Sequence, residues 1–351
     1  MLFIGVGQPP VVPLPLHNPR LTDPSNSLQA GKTVDILRCA AESTDLPSPS
    51  ALPRQQAYLL PGFSTPGLRP PPFRGTLLPP AFSAPLSETP VFTVSLVDDL
   101  PIRKKTLVQT DVADYSDDPR LDIYISDSEY FFEISPDQNS IPCAFFHLSS
   151  DYSHGKLKIL TDISWLRLFA LNNAVMTIYA LAAACRNTVL IHASAVLNSN
   201  KAFLFLGKSG IGKSTQSRLW LKYVEGSRLL NDDTPVIRLD DSGILLAYGT
   251  PWSGKTRCYK NSCAPIGAIV LLRQSSSNAI TRLSALEPFA AIYQSCSGLG
   301  CDEDLSEIQY MTLERIVSKI PFYLLDCRPD RDAAQICAEE LLHKITNIHQ
   351  R

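Results

Sequence analysis

The sequence predicts an α/β fold with a mixed sheet, preceded by a small β-rich module and a proline-rich N-terminal segment. Three observations support this division of the 351 residues. Eighteen of the 28 prolines fall within residues 1–90. Residues 91–160 contain short apolar runs separated by Asp and Ser clusters, which is typical of successive strands. From residue 188 onward, strand-like apolar runs alternate with segments of helical periodicity, as in an α/β core.

The proline-rich segment, residues 1–90, is predicted to be a disordered or polyproline-like tail. Proline fixes φ and lacks a backbone donor, so this density excludes long helices and central strands. Residues 9–16 read Pro-Pro-Val-Val-Pro-Leu-Pro-Leu, and residues 68–73 read Leu-Arg-Pro-Pro-Pro-Phe. This composition is that of an extended segment or of a ligand for a proline-binding domain.

The middle module, residues 91–187, is predicted to be β-rich and to end in one long helix at about residues 163–186. Its strands are expected at residues 91–97, 121–125, 130–134, 145–148 and 157–160. The most apolar stretch of the chain, residues 165–185, contains one arginine and two asparagines. A helix buried in a protein core explains this stretch better than a membrane span.

The C-terminal region, residues 188–351, is predicted to form the α/β core. Its strands are expected at residues 189–192, 202–206, 236–239, 244–247, 266–272 and 322–325. Its helices are expected at residues 213–224, 285–295, 304–319 and 330–346. Such an order predicts a mixed sheet covered by helices.

The most informative motif lies between a predicted strand and a predicted helix. Residues 207–214 read Gly-Lys-Ser-Gly-Ile-Gly-Lys-Ser and fit G-x-x-x-x-G-K-[ST], the phosphate-binding P-loop or Walker A motif. Its glycines allow a close backbone approach to phosphate, and the helix N-terminus directs N–H groups at negative charge. Lys213 is expected to reach the β- and γ-phosphates, and the Ser214 hydroxyl to hold Mg²⁺. The predicted nucleotide-binding residues are Gly207, Lys208, Ser209, Gly210, Ile211, Gly212, Lys213, Ser214 and Thr215.

An acidic pair follows the next apolar run. Asp232 and Asp233 lie 19 and 20 residues after Lys213. At a strand end beside a phosphate loop, one carboxylate can bind Mg²⁺ while the other takes the proton of an attacking hydroxyl. Two adjacent acids also occur in solvated turns, so the functional interpretation depends on the neighbouring phosphate loop.

Two further features are open to both a functional and a structural interpretation. Residues 248–257 read Tyr-Gly-Thr-Pro-Trp-Ser-Gly-Lys-Thr-Arg. This loop either closes over a substrate and presents Lys255 and Arg257 to a phosphoryl group, or connects two strands around a packed tryptophan. His192 ends an apolar strand, where a lone histidine is more often structural than catalytic.

The order of these motifs resembles HPr kinase/phosphorylase. The series is Ile-His-Ala-Ser-Ala at residues 191–195, the glycine loop, and then Asn-Asp-Asp at residues 231–233. It is most similar to the HPr-kinase-like proteins that carry Gly-Thr-Pro-Trp-Ser-Gly-Lys after the acidic pair. Their superfamily also includes ATP-dependent phosphoenolpyruvate carboxykinase. The resemblance covers residues 185–275 and implies a mixed-sheet P-loop fold of this type, with ATP and Mg²⁺ as cofactors.

The resemblance also implies roles for individual residues. His192 would be the active-site histidine, and Asp233 would accept the proton of the serine hydroxyl. Ser214 and Asp232 would lie at the metal, and Arg257 would contact phosphate. Thr215 stands where the family has Glu. The Glu-Leu-Arg-Gly-Leu-Gly-type segment that supplies a metal-binding glutamate is absent, which leaves the second metal ligand and any reverse phosphorolysis unassigned.

The expected function is therefore an ATP- and Mg²⁺-dependent kinase. It would transfer the γ-phosphoryl group to a serine-type hydroxyl of a protein, a peptide or a small molecule. One alternative is a phosphoenolpyruvate carboxykinase-like activity, for which the chain is short. The other is a nucleotide-sensing adaptor without catalysis, which would not need a base such as Asp233.

The composition of the chain indicates which classes of binding partner and which cellular compartment to expect. A net charge of −2 and a pI near 6.3 give no support for a nucleic-acid or anionic-membrane partner. Nine scattered cysteines and the lack of a basic secretory signal favour reduced thiols in the cytoplasm. The family resemblance suggests a homo-oligomer.

Overall fold

The protein is described by a computed structural model. It covers residues 33–35, 91–100, 106–112, 119–127, 129–254, 256–284, 286–298 and 300–348. The predicted disordered tail, residues 1–90, therefore lies outside the described residues apart from the short strand β1, Thr33–Asp35.

The first sheet has seven strands in the order β1-β2-β7-β6-β5-β4-β3. After β1 they are β2 (Thr93–Leu96), β3 (Thr106–Val112), β4 (Arg120–Ser126), β5 (Glu129–Ser135), β6 (Ala144–Leu148) and β7 (His154–Ile159). Among the described strands of this sheet, only β2 and β7 pair in parallel. Strand β3 was not predicted from the sequence, because this edge strand is largely exposed and lacks the apolar alternation of a half-buried strand.

The long helix α1 (Ser164–Ala184) packs against this sheet, as predicted. It is apolar on most sides, and Gly155 of β7 permits close approach, since a Cβ there would lie 2.9 Å from Ile178 Cδ1. The helix is long and apolar enough to cross a membrane, but 78% of its most apolar window is buried inside the protein. That burial matches a core helix, since both its faces have protein neighbours.

The second sheet has nine strands and is mixed. They are β8 (Thr188–Leu190), β9 (Ser194–Asn198), β10 (Lys201–Leu206), β11 (Arg228–Asn231), β12 (Val236–Leu239), β13 (Leu245–Tyr248), β14 (Cys263–Gln274), β15 (Ala279–Arg282) and β16 (Phe322–Cys327). The long strand β14 pairs antiparallel with β13 at its start, then in parallel with β10 and β16. The prediction of an α/β fold with a mixed sheet is confirmed.

Helices cover both faces of the second sheet. They are α2 (Lys213–Tyr223), α3 (Leu286–Ser295), α4 (Glu303–Lys319) and α5 (Arg331–Ile348). Alternation along β10 sends Phe203 and Phe205 toward α2 and α5, where they pack with Trp220. Leu204 packs on the other face in a cluster that includes Leu313 of α4. The strand is therefore buried on both sides, as its unbroken apolar run predicts.

The strand order brings three chain segments to one edge of this sheet. β9 lies between β10 and β11 and is antiparallel to both. β10 and β11 therefore run in the same direction and end at the same edge, where β9 begins. The glycine loop after β10, the acidic pair after β11 and His192 before β9 all lie at this edge, outside the carboxyl ends of the parallel strands.

Asp302, the N-cap of α4, joins the first sheet to the second half of the chain. Its Oδ1 accepts a hydrogen bond from the Leu305 amide at 2.8 Å. Its Oδ2 accepts from the hydroxyls of Tyr130, at 3.0 Å, and of Tyr152. Burial raises the pKa of both tyrosines, so both hydroxyls remain protonated donors. The hydrophobic cluster around α1 also reaches Leu305, so packing bridges the predicted domain boundary at residue 187.

We expect Asp302→Ala to lower the free energy of unfolding by about 2–3 kcal/mol, because it removes a helix cap and leaves two tyrosine hydroxyls without their acceptor. Urea denaturation followed by circular dichroism measures the change. Asp302→Asn, which keeps a capping oxygen, should lose less than half as much. Equal losses for the two variants would contradict the assigned role of the cap.

Candidate functional site

The glycine loop leaves β10 and enters α2 with three residues in positive-φ conformations. Gly207, Gly210 and Gly212 have φ of 140°, 77° and 117°, a region that favours glycine. A Cβ built on Gly210 or Gly212 would meet no atom within 4 Å, so this side of the loop is open. Gly212 is the N-cap of α2 and provides no side-chain cap, and the first turn holds no acidic residue. The free N–H groups there suit an anion.

Lys213 lies inside the loop, with its side chain folded back over it. Its Nζ donates to the carbonyl oxygens of Gly207, at 2.9 Å, and Lys208, at 3.2 Å. Burial lowers the pKa of the ammonium to about 8, while the carboxylates of Asp233 and Asp232 act in the opposite direction. The lysine is therefore a buried cation close to the acidic pair, held without a direct ion pair.

The acidic pair is fixed by the side chain of Asn231, which is fully buried. Its Oδ1 accepts hydrogen bonds from the backbone amides of Asp233, at 2.9 Å, and Thr234, at 2.8 Å. Its Nδ2 donates to Thr250 Oγ1 and to the Trp252 carbonyl, each at 3.0 Å. All four hydrogen bonds of this amide are satisfied, and they couple the acidic turn to the loop that follows β13.

Asp232 is connected to α2 through a buried serine. Ser194 Oγ donates to Asp232 Oδ1 at 2.7 Å and lies 2.5 Å from Ser217 Oγ. Ser217 and Ser214 are three residues apart on α2, so they share one face of the helix. The structure therefore places Asp232 beside the helix face that carries Ser214.

Asp233 is the most perturbed acid of the site. Burial raises the pKa of its carboxyl to about 7, although a hydrogen bond from Thr234 and the Lys213 ammonium act in the opposite direction. His192 Nδ1 lies 3.7 Å from Asp233 Oδ1, which is too long for a hydrogen bond. Burial and the Lys213 charge lower the pKa of His192 to about 4. The imidazole is therefore neutral at neutral pH, and its contact with Asp233 is not an ion pair.

The loop after β13 covers Asp233. A Cβ on Gly254, whose φ is 50°, would lie 3.0 Å from Asp233 Cβ. A Cβ on Gly249 would lie 2.2 Å from the Lys260 carbonyl oxygen, so both positions require glycine. Trp252 is 2% exposed, and its ring centroid lies 5.5 Å from that of Tyr179.

The structure describes one of the two cations predicted for this loop, Arg257, but not Lys255. Arg257 is exposed. Within the described part of the chain, no hydrogen bond or ion pair joins it to the glycine loop or to the acidic pair. Lys255 lies outside the described residues. The role of Arg257 in phosphate contact stays a prediction.

Four polar residues of the site had no role predicted from the sequence: Ser194, Ser217, Asn231 and Thr250. Asn231 was visible as the residue before the acidic pair, and Ser194 as the second residue after His192. Their roles depend on contacts between residues 19 to 38 positions apart, which sequence spacing does not reveal.

The site has oxygen donors but no preformed cage for a metal. Among the described residues, no group of three or more His, Cys, Asp or Glu side chains could hold a metal ion. Ser214 and Asp232 offer a hydroxyl and a carboxylate, the kind of donors Mg²⁺ accepts when substrate phosphates complete its shell. The residues present therefore fit Mg²⁺ bound together with a nucleotide.

A cavity of about 560 Å³ lies elsewhere, at the opposite end of the parallel strands. Its walls include the first residue of β10, Lys201, and the start of β16, Phe322 and Tyr323. None of the residues of the glycine loop or the acidic pair lines it.

Comparisons with known proteins give little beyond this geometry. No protein-family model matches the chain. No curated protein matches it. Among solved structures it is similar to the HPr(Ser) kinase/phosphatase from Coxiella burnetii, with 13% identity and a TM-score of 0.27. The alignment covers 46% of this chain and 92% of that chain. At this TM-score the similarity supports no conclusion about function.

We expect Asp233→Asn to stabilise the protein above pH 7. An unfolded Asp titrates near 3.9, whereas burial raises the pKa of Asp233 to about 7 in the folded chain. Between these values only the folded state keeps the proton, so this group makes the wild type less stable as pH rises.

The advantage of the variant should grow from about pH 4 to about pH 7 and then level off, reaching roughly 1–3 kcal/mol. Urea denaturation at pH 5 and pH 8 measures it, with the exposed Asp241→Asn as the control for removing a carboxyl. A variant that is less stable than wild type at pH 8 would contradict the buried, proton-binding environment.

Proposed function

We propose that this chain is an ATP- and Mg²⁺-dependent kinase of the HPr-kinase-like type, acting on a serine-type hydroxyl of a protein, peptide or small molecule. The observation that carries the proposal is the position of Asp233. A buried carboxyl with a pKa near 7 lies at the same sheet edge as an open glycine loop and its lysine. A base poised near neutral pH is what proton removal from a hydroxyl requires.

The loop would hold the nucleotide phosphates. The uncapped N–H groups at the start of α2 and the open side at Gly210 and Gly212 support this assignment. Lys213 Nζ is bonded to two loop carbonyls and would exchange them for phosphate oxygens. Its charge would then offset the charge on the transferred group.

Ser214 and Asp232 would hold Mg²⁺, which when bound supplies positive charge to the phosphates. Ser194 donates to Oδ1 of Asp232 at 2.7 Å. Among the described residues, no hydrogen bond reaches the other carboxylate oxygen, which leaves it for the metal. Ser194 would therefore fix the rotation of the carboxylate.

Asp233 would take the proton of the acceptor hydroxyl. Its side chain is only 12% exposed, with Gly254 against it. An acceptor would therefore approach along the loop at residues 249–257, and the loop would exclude water from the base. His192 beside the carboxyl would provide a polar group. Because its imidazole is neutral, it would not add a second positive charge next to Lys213.

We expect Lys213→Ala to lower phosphoryl transfer at least about a hundredfold, because it removes the cation that offsets phosphate charge. The assay incubates the protein with γ-labelled ATP and host extract and identifies the labelled acceptor. Lys222→Ala, an exposed lysine on the same helix, is the matched control and should retain wild-type transfer. Equal phosphoryl transfer by the Lys213→Ala and Lys222→Ala variants would contradict the assignment of residues 207–214 as a phosphate-binding loop.

We expect kcat/KM to rise with pH up to about 7, as Asp233 loses its proton, and to fall above about 8, as Lys213 loses its charge.

Asp233→Asn should bind ATP with near wild-type affinity in calorimetry while losing transfer. Transfer at the wild-type rate would exclude Asp233 as the base. ATP binding by the wild type with no labelled acceptor would favour a nucleotide-sensing adaptor.

A further inference from the structure

An exposed aromatic surface lies on the two helices α3 and α4. We call it the aromatic platform and define it as Phe289, Tyr293, Tyr310 and Met311. Tyr293, Tyr310 and Met311 are 43%, 42% and 49% exposed. Large apolar side chains grouped at the surface mark contact sites more often than chance exposure does.

The rings of the platform stack on one another. The ring centroids of Tyr293 and Tyr310 are 5.4 Å apart, and Phe289 lies 6.3 Å from Tyr293 and 6.2 Å from Tyr310. The interplanar angles lie between 8° and 26°. The Tyr310 hydroxyl donates to the Tyr293 hydroxyl at 3.2 Å. The result is a preformed, ordered surface of amphipathic rings, which loses little entropy when a ligand binds.

Two carboxylates flank the platform. Glu307 and Glu314 are exposed and lie three residues before and four residues after Tyr310, so they share its helix face. Among the described residues neither glutamate forms an ion pair. The nearest cation in sequence, Arg315, is engaged with Asn187 Oδ1 at 2.7 Å. The platform therefore combines stacked rings with two carboxylates that form no ion pair among the described residues.

The sequence of the same chain contains a segment of matching chemistry. Residues 66–80 read Pro-Gly-Leu-Arg-Pro-Pro-Pro-Phe-Arg-Gly-Thr-Leu-Leu-Pro-Pro, with six prolines, two arginines and no acidic residue. Consecutive prolines favour the polyproline II helix, whose fixed conformation suits grooves lined by aromatic side chains. Arginines beside such a run can pair with carboxylates that flank the aromatic rings.

We propose that residues 66–80 dock on the aromatic platform of their own chain, with Arg69 and Arg74 facing Glu307 and Glu314. The prolines lie across the stacked rings. The segment thereby covers the exposed face of α3 and α4.

The chain re-enters the described structure close enough for this contact. Thr93 N donates to Ser153 O at 2.9 Å, and the adjacent Tyr152 reaches Asp302 at the start of α4. Tyr310 lies eight residues further along this helix, roughly 12 Å away. The linker of residues 81–90 spans up to about 33 Å when extended. This exceeds the roughly 12 Å from Asp302 to Tyr310 and leaves length for the path from Thr93 to Asp302.

Photo-crosslinking in the full-length protein tests the contact. A benzophenone amino acid replaces Met311, the chain is irradiated at low concentration, and peptides are mapped by mass spectrometry. The same amino acid at Ile244, which is 47% exposed on the β12–β13 turn, is the control. We expect cross-links from position 311 to fall within residues 66–80, and those from position 244 to fall elsewhere.

Charge reversal in the segment provides the second arm. Arg69→Glu with Arg74→Glu should lower the cross-link yield at position 311 about fivefold or more, since two attractive pairs become repulsive. Arg54→Glu, in the same proline-rich region but outside the segment, should leave it unchanged.

Three outcomes would overturn the proposal. The first is cross-links from position 311 that map outside residues 66–80, or no cross-links at all. The second is a yield that does not change with Arg69→Glu and Arg74→Glu. The third is cross-links that join isotopically labelled to unlabelled chains in a mixture, which would assign the platform to a second copy.

Discussion

The carboxamide of Asn231 is the constraint on which the arrangement of the site depends. One side chain accepts from two successive backbone amides of the acidic turn and donates to two groups of the loop after β13. The orientation of Asp233 and the position of Gly254 above it are thus fixed by the same amide. Because Asn231 is fully buried, any unmade bond would leave a polar group without water.

This arrangement holds a carboxyl in an environment that disfavours its charge. Burial raises the pKa of Asp233 to about 7 and lowers the pKa of Lys213 to about 8. Both shifts oppose the charged forms, so ionising either group at neutral pH weakens the folded state. Strained electrostatics of this kind are common where a group must exchange a proton near neutral pH.

The topology of the second sheet explains why distant segments converge. β9 reverses direction between β10 and β11, so the ends of these two strands and the start of β9 share one edge. The first sheet is joined to this region by α1 and by the two tyrosines on Asp302. That junction also brings the start of β2 near α4. The aromatic platform on α3 and α4 presents a different chemistry from the site, stacked rings with negative charge.

The sequence by itself determined the α/β order, most strands and helices, the glycine loop and the buried helix at residues 164–184. These follow from local periodicity and from glycine and proline chemistry, which act over a few residues. It did not reveal β1, β3, β9, β11 and β15. β3 is an exposed edge strand, and β15 is exposed along most of its length, so neither shows a clear alternation.

Only the tertiary structure decided which polar residues meet. Ser194 reaches Asp232 across 38 positions, Asn231 reaches Thr250 across 19, and Gly254 rests on Asp233 because of how the sheet folds. Such contacts depend on strand pairing between distant segments, and no local pattern encodes that pairing. The same applies to the perturbed pKa of Asp233, because burial is a property of the whole fold rather than of neighbouring residues.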